Sequence, residues 1–558
     1  KTFAFPSSRL IIDTFPSFLS VAIFSVIINK LISRDFIMTT RTSGSILIEN
    51  LKIYIRTILK IFSYLFLVIF VPTSIYLANL FLMKPYSIDH YLGKELVLGL
   101  IDSPEALTYV GIFDDYNWVT KHNSKLSVPK KDDIENGIKD TEKIIKTLYK
   151  YKDSSLSESQ LNTKRIAIFD WENTLKQLRD FPYLDYSLNQ IGGIHLNTIQ
   201  FMNDMHPIRK KSEAEDFINR ANQIKEVYKG HLINLEKQAE LGIYPPEFVY
   251  EHVIKQLNDF IEYSYSEHPL YSQFISKINK LKLSDVEIKD LDEGIKLAID
   301  NSVTPGFELL LKYMKDTQKF ANQNHGIWSQ PDGDNYYKLR IRSYTTTDYS
   351  AEEIHQMGLS EVERITNRMR EILTDLGYDT SKSVGELMNS LNEDPKFLYD
   401  DTPDRKEIVV NDYTEMMNEA IEVMKDYFHT MPKSKVIVKA VPEYSEQTAA
   451  GGYYQAPALD GSRPGVFYAN LYDIKQTPKY SMRTLTYHEA TPGHHHQIAH
   501  SLENENLTLY RRFGYRTSAF SEGWALYAER LALEVGLATD PYDELGILQS
   551  EIFRAVRL

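Results

Sequence analysis

No cysteine occurs among the 558 residues. That excludes disulfides, zinc–thiolate sites and a cysteine nucleophile, and it leaves histidine, aspartate and glutamate as the available metal ligands. Positive charge is also short: 63 Lys and Arg stand against 76 Asp and Glu, for a net charge of −13. Nucleic acid is excluded as the main partner on that balance, because phosphate binding needs clustered basic surface. There is no internal repeat and no low-complexity linker. Residues 1–37 lack methionine, so Met38 is a candidate start with an extended reading frame before it. With 43% hydrophobic residues, the chain can bury one large core or several modest ones.

Charge is missing altogether from Ile61 to Leu82, a stretch long enough to cross a bilayer core of ~30 Å. Arg41, Lys52, Arg56 and Lys60 precede it, and Lys84 and Lys94 follow. The positive-inside rule then predicts a cytoplasmic N-terminus, with the bulk of the chain outside. Pro72 is tolerated in such a helix. A cleaved signal peptide, with Ala78 near a small-residue site, would make the product secreted instead. A second apolar stretch, Phe15–Ile28, lies upstream.

Residues 85–430 read as helical. Apolar residues recur at helical spacing in Ala214–Glu240 and Phe248–Tyr263, and Pro245-Pro246 between them suits a loop entering a helix. Gln330–Asp334 is a turn signature, and the alternation in Tyr336–Tyr344 predicts a strand. Ser350 and Glu353 form a capping-box pattern at a helix start. Val436–Val441 predicts a strand, and Gly451–Asn470 reads as strand, tight turn, strand. The expected organisation is an N-terminal segment (1–84), a helical domain (85–430) and a metal-binding catalytic region (431–558). The expected fold is mainly α, with a small β-sheet beside the site.

Chemistry concentrates in His488-Glu489-Ala490-Thr491-Pro492-Gly493-His494-His495. A catalytic zinc takes three protein ligands and keeps one position open. The usual sequence form is two histidines at i and i+4 on a helix, with a glutamate after the first as general base. Here the i+4 position is Pro492, and the next histidines stand at i+6 and i+7. Six residues of straight helix advance ~9 Å, too far for two zinc–nitrogen bonds of ~2.1 Å. The backbone must bulge, kink or leave the helix, and Pro492-Gly493 permits that. His488 is then the first ligand and Glu489 the base. His494 is the favoured second ligand, His495 the alternative, and His496 an outer residue or none. A downstream helix, Phe520–Arg530, offers Glu522 and Glu529 on one face; Glu522 is taken as third ligand, with Gly523 permitting close approach, and Glu529 as a residue orienting a ligand histidine.

The predicted hairpin before the motif offers Tyr453 and Tyr454 beside the site, and an edge that could pair with an extended peptide. Arg463 is a candidate for a substrate carboxylate and Asn470 for a peptide backbone. Downstream, Tyr510, Arg512 and Tyr515 are candidates for polarising the scissile carbonyl.

The strings HEATPGHHHQ and AFSEGWALYAERL resemble the bacterial family called domain of unknown function 885, regarded as candidate zinc metallopeptidases. DYSLNQ (185–190), GIYPPEF (242–248), GIWSQPDGDNYY (326–337), TTTD (345–348) and DGSRPGVFYAN (460–470) resemble its recurring segments in the same order, so the likeness covers about 90–558. The resemblance implies a helical fold shaped like gluzincin carboxypeptidases and oligopeptidases. It also implies zinc on His488, one of His494/His495 and Glu522, with Glu489 as base and the protein exported or membrane-anchored. The family pattern runs on past Arg554–Leu558, so the chain is expected to be truncated at its C-terminus. The expected function is a zinc-dependent metallopeptidase using a metal-activated water on a peptide or small amide. The alternatives are a catalytically silent, membrane-tethered binding protein and a zinc amidase or esterase.

Overall fold

A computed structural model describes residues 44–558, apart from 112 and 322. By packing, the chain divides into two units, one ending at Glu95 and one running from Leu96 to Leu558. The Phe15–Ile28 stretch, Met38 and Arg41 lie outside the described residues.

In the first unit, helix α1 (Gly44–Leu65) passes through a π-helical turn (Phe66–Phe70) into α2 (Val71–Leu82). Pro72 falls in the first turn of α2, where the missing N–H is tolerated. Tyr54–Leu82 is long and apolar enough to cross a membrane, and only 6% of its most apolar window is buried. Leu59, Tyr64 and Val68 accordingly present bare apolar side chains.

In the second unit, helices α3 (Lys211–Ala221), α4 (Ile224–Glu240), α5 (Glu247–Glu262) and α6 (Thr304–Thr317) enclose the largest apolar core. Phe217, Tyr228, Tyr250 and Phe307 are its fully buried anchors, each contributing roughly 1.5–3 kcal/mol of burial. The helical pattern of 214–240 is interrupted at Asn222–Gln223, between α3 and α4. Pro246 caps α5, as the proline doublet suggests.

The expected strand at Tyr336–Tyr344 is instead helix α7 (Gly333–Thr345). Its buried residues, Tyr336 and Leu339, are three apart, which suits a helix face and not alternate faces of a strand. The turn before it is real: a Cβ on Gly333 would lie 1.9 Å from Ile327 O. Ser350 and Glu353 form the capping box that starts α8 (Ala351–Asp375). Helices α9 (Val384–Glu393) and α10 (Arg405–Met424) follow.

The small sheet has strands β1 (Val436–Ala440), β2 (Gly452–Gln455) and β3 (Gly465–Ala469) in the order β1-β3-β2. β1 is parallel to β3 and β2 antiparallel to it. The connection between β2 and β3 is not a tight turn: residues 456–464 form a loop in which Leu459 N bonds Val110 O at 3.1 Å. β3 is buried along its whole length. Gly451 O accepts from Asn470 N at 2.9 Å. The antiparallel alternation from that bond turns the main-chain groups of Gly452 and Tyr454 away from β3, to the open edge.

Four helices after the sheet carry or flank the histidine motif: α11 (Lys479–Glu489), α12 (His494–Glu503), α13 (Ser518–Glu534) and α14 (Pro541–Ala555). α11 and α14 pack backbone to backbone, since a Cβ on Gly546 would meet Tyr480 O at 2.3 Å.

Candidate metal centre

The histidine motif is cut by the end of a helix. α11 stops at Glu489, where Ala490 leaves helical geometry (φ −103°, ψ −105°), and α12 begins afresh at His494. Proline at 492 has no N–H to continue the first helix. Gly493 fits where no side chain could: a Cβ there would lie 1.9 Å from His488 O and 2.3 Å from Tyr487 O. The backbone thus leaves the helix at Ala490 and turns back through Pro492-Gly493, and two residues six apart in sequence come together. The His488 and His494 rings stand 4.7 Å apart, nearly perpendicular.

Helix α13 supplies the rest. Glu522 and Glu529 lie two turns apart on one face and serve opposite sides of the same histidine. Glu522 Oε2 is 3.4 Å from His488 Nε2, and its Oε1 is 3.5 Å from His494 Nε2. Glu529, buried, accepts from His488 Nδ1 at 2.7 Å. Trp524 Nε1 donates to Pro492 O at 2.8 Å and fastens α13 to the loop between the two histidine helices. His488, His494 and Glu522 thus offer three ligand atoms that all lie within 4.8 Å of one another. Gly523, beside Glu522, plays no part in that approach, since a Cβ there would meet nothing within 4 Å.

Burial lowers the His488 pKa, but hydrogen bonds with Glu522 and Glu529 outweigh it and hold the ring at about 9. His494 is pushed down to about 4 by burial and by the charge of His488. Glu522 is held below its ordinary value, chiefly by the His488 hydrogen bond. Burial raises Glu489 to about 7 against the pull of His488. Its Oε2 has no partner among the described residues.

Other expected residues are placed elsewhere. His495 does not converge on the cluster: its Nδ1 pairs with the Tyr454 hydroxyl at 3.0 Å and its Nε2 with Ser434 O at 3.1 Å. Gly465 gives that pair room, because a Cβ there would lie 2.6 Å from the Tyr454 hydroxyl. His496 packs against Phe428, with ring centroids 4.2 Å apart. Arg463 cannot take a substrate carboxylate in the cleft, because its guanidinium is held by Ala456 O at 2.7 Å and Tyr109 O at 2.9 Å. Asn470 is buried and structural, donating to Glu446 O and Ala449 O. Arg512 caps Leu502 O, and Tyr515 stacks near Tyr510, whose hydroxyl donates to Asp170. None of Arg512, Tyr515 or Tyr510 lines the cleft that holds the cluster.

That cleft has a volume of about 870 Å³. Tyr453 and Tyr454 line it from β2, and Gln549, Ser550, Phe553 and Arg554 line it from α14. Arg554 is the contributor that sequence reasoning missed. Its Nη2 lies 3.0 Å from Glu529 Oε1, so the carboxylate behind His488 is itself braced by a cation. The only sequence signal is an arginine near a helix end, with nothing to say which face it serves.

A mainly helical unit with a small sheet, bearing a two-histidine, one-glutamate cluster across a helix break, is the class of protein that fold and site define. The chain belongs to the bacterial protein family of unknown function DUF885, whose model matches residues 104–558. It is similar to the crystal structure of a candidate lipoprotein from Colwellia psychrerythraea, at 32% identity and a TM-score of 0.78 over 84% of this chain and 82% of that one. A candidate lipoprotein of unknown function from Shewanella oneidensis shares the fold, with a TM-score of 0.56 at 16% identity over 84% of this chain and 82% of that one. No curated protein matches the chain.

Proposed function

We propose that the chain is a zinc-dependent hydrolase that cleaves peptide bonds. The observation that carries this reading is the convergence of His488, His494 and Glu522 next to buried Glu489, whose Oε2 has no partner among the described residues. The donor set fits the metal. His488 Nε2 and His494 Nε2 face different oxygens of the Glu522 carboxylate, Oε2 at 3.4 Å and Oε1 at 3.5 Å, and one donor atom from each residue lies within 4.8 Å of the others, a small rearrangement from the roughly 3.4 Å between donors on a tetrahedral zinc with bonds of ~2.1 Å. Two imidazoles and a carboxylate, with no thiolate in the chain, form a common zinc set.

Zinc bound there supplies Lewis acidity toward a water and a carbonyl oxygen. The protein's own groups do the remaining work. Glu529, braced by Arg554, accepts the Nδ1 proton of His488 in a hydrogen bond and so turns the Nε2 lone pair to the cluster. Glu489 Oε2 takes a proton from the attacking water and returns it to the leaving nitrogen as the C–N bond breaks. The outward main-chain groups of Gly452 and Tyr454 pair with an extended peptide and hold it beside α11. The helix Tyr54–Leu82 tethers the protein, with Arg56 and Lys60 toward the cytoplasm and the catalytic unit outside it.

The test is Glu489→Gln, which preserves shape and removes the base. It should keep its zinc and lose peptide hydrolysis by about 10²-fold or more. Wild-type turnover in a zinc-loaded Glu489→Gln protein would overturn the role of Glu489. A wild type that cleaves esters but no peptide would move the substrate class.

A further inference from the structure

The cleft runs on past the metal ligands, and the chemistry of its far end is unused by the reaction above. His488, Leu485, Thr484 and Ser481 line it from one face of α11, stepping back toward the start of that helix. The close packing of α14 at Gly546 brings Gln549 Oε1 within 3.0 Å of the Tyr480 hydroxyl. The same hydroxyl donates to Asn392 Oδ1 from α9. With its carbonyl oxygen so occupied, Asn392 keeps its Nδ2 protons for whatever enters the cleft. Lys475 stands beside it, its Nζ 3.3 Å from Glu393, and the side chains of that pair are 55% and 69% exposed. Such an exposed pair is weak, so Lys475 can exchange its partner readily.

Between that end and the metal ligands, Tyr413 and Thr484 also line the cleft, with the Tyr413 hydroxyl and Thr484 Oγ1 turned into the protein and without a partner among the described residues. Apart from Glu489 and Glu522, no carboxylate lines the cleft among the described residues. The far end therefore offers donors and a cation to its guest, in a protein whose overall charge is −13.

We infer that this end binds the free C-terminal carboxylate of a short peptide, with Lys475 and Asn392 as its recognition groups. Resting on the peptidase reading, this makes the enzyme one that removes a short C-terminal piece. Ser481 is seven residues from His488 along α11, an advance of ~10 Å. Extended peptide spans ~3.3–3.6 Å per residue, so the carboxylate lies about three residues beyond the scissile bond.

The experiment compares an N-acetylated alanine hexapeptide as free acid and as C-terminal amide. Calorimetry with the zinc-loaded, full-length Glu489→Gln protein reads binding without turnover, and mass spectrometry with the wild type reads the cleavage position. The acid should bind about tenfold more tightly than the amide, the scale of one charge-assisted hydrogen bond. Cleavage should fall about three residues from its C-terminus, and Lys475→Glu should abolish the preference for the acid. Equal binding of acid and amide, binding of neither, or a preference that survives Lys475→Glu overturns the inference. A preference for the acid with no hydrolysis by the wild type leaves the carboxylate site standing and sinks the peptidase reading.

Discussion

Four residues carry the proposed chemistry, and each gets its character from a neighbour that a sequence pattern cannot display. Glu489, the base in the proposed reaction, is buried at the end of α11, which raises its pKa to about 7. A base works only when ionised, so activity must fall as pH drops through that group's pKa. Zinc beside it favours the ionised form and pulls the value below the metal-free one. We therefore expect kcat/KM to rise with pH through a single ionisation between the ordinary carboxylate value of 4.5 and about 7, then level off. A pH–rate profile on the zinc-loaded protein checks this; a rate that is flat across that interval, or that rises toward acid, contradicts it. His488, Glu489 and Glu522 are legible from the motif and its downstream helix. His495 is not separable from His494 by spacing, because the choice depends on Tyr454 and Ser434, which arrive from the sheet and the segment before it. Arg554 is illegible for the same reason, since Glu529 is 25 positions away and only helix packing joins them.

The centre depends on how three helix segments meet. α11 and α12 present histidines from the end of one helix and the start of the next, and Pro492-Gly493 in the sequence announces that break. Spacing that departs from the usual motif is compensated by the chain path, not by different ligands. The strand expected at Tyr336–Tyr344 shows the opposite case. Its alternation of apolar and charged residues satisfies both periods over so short a stretch, and only the burial of Tyr336 and Leu339 decides for helix. Glycines separate positions where close packing is required from positions where it is not. Gly546→Ala must push α14 away from Tyr480 O, and should cost about 1–3 kcal/mol of stability. Gly523→Ala meets nothing within 4 Å on an ordinary helix, and should gain roughly 0.5–1 kcal/mol from helix propensity. Denaturant midpoints of the two variants check the pair. A neutral Gly546→Ala would refute the tight α11–α14 contact that shapes the cleft.

At the scale of the whole molecule, the mainly helical unit with a small sheet was legible from periodicity, capping residues and β-branched runs. The placement of the sheet was not, because β1 reaches β3 across a long connection and pairs with it in parallel. The apolar segment was legible from the absence of charge alone, and the described helix extends it back to Tyr54. The cleft could not be read at all: it draws on α9, α10, β2, α11, α12, α13 and α14, segments spread over more than 150 residues. The central claim is that these elements close one metal site on His488, His494 and Glu522. Equilibrium dialysis against buffered zinc, followed by metal analysis, tests it most directly. The wild type and His495→Asn should each hold one zinc per chain, while His494→Asn should hold almost none at the same free zinc. A wild type without zinc, or a His495→Asn protein that loses it as fully as His494→Asn, would contradict the account.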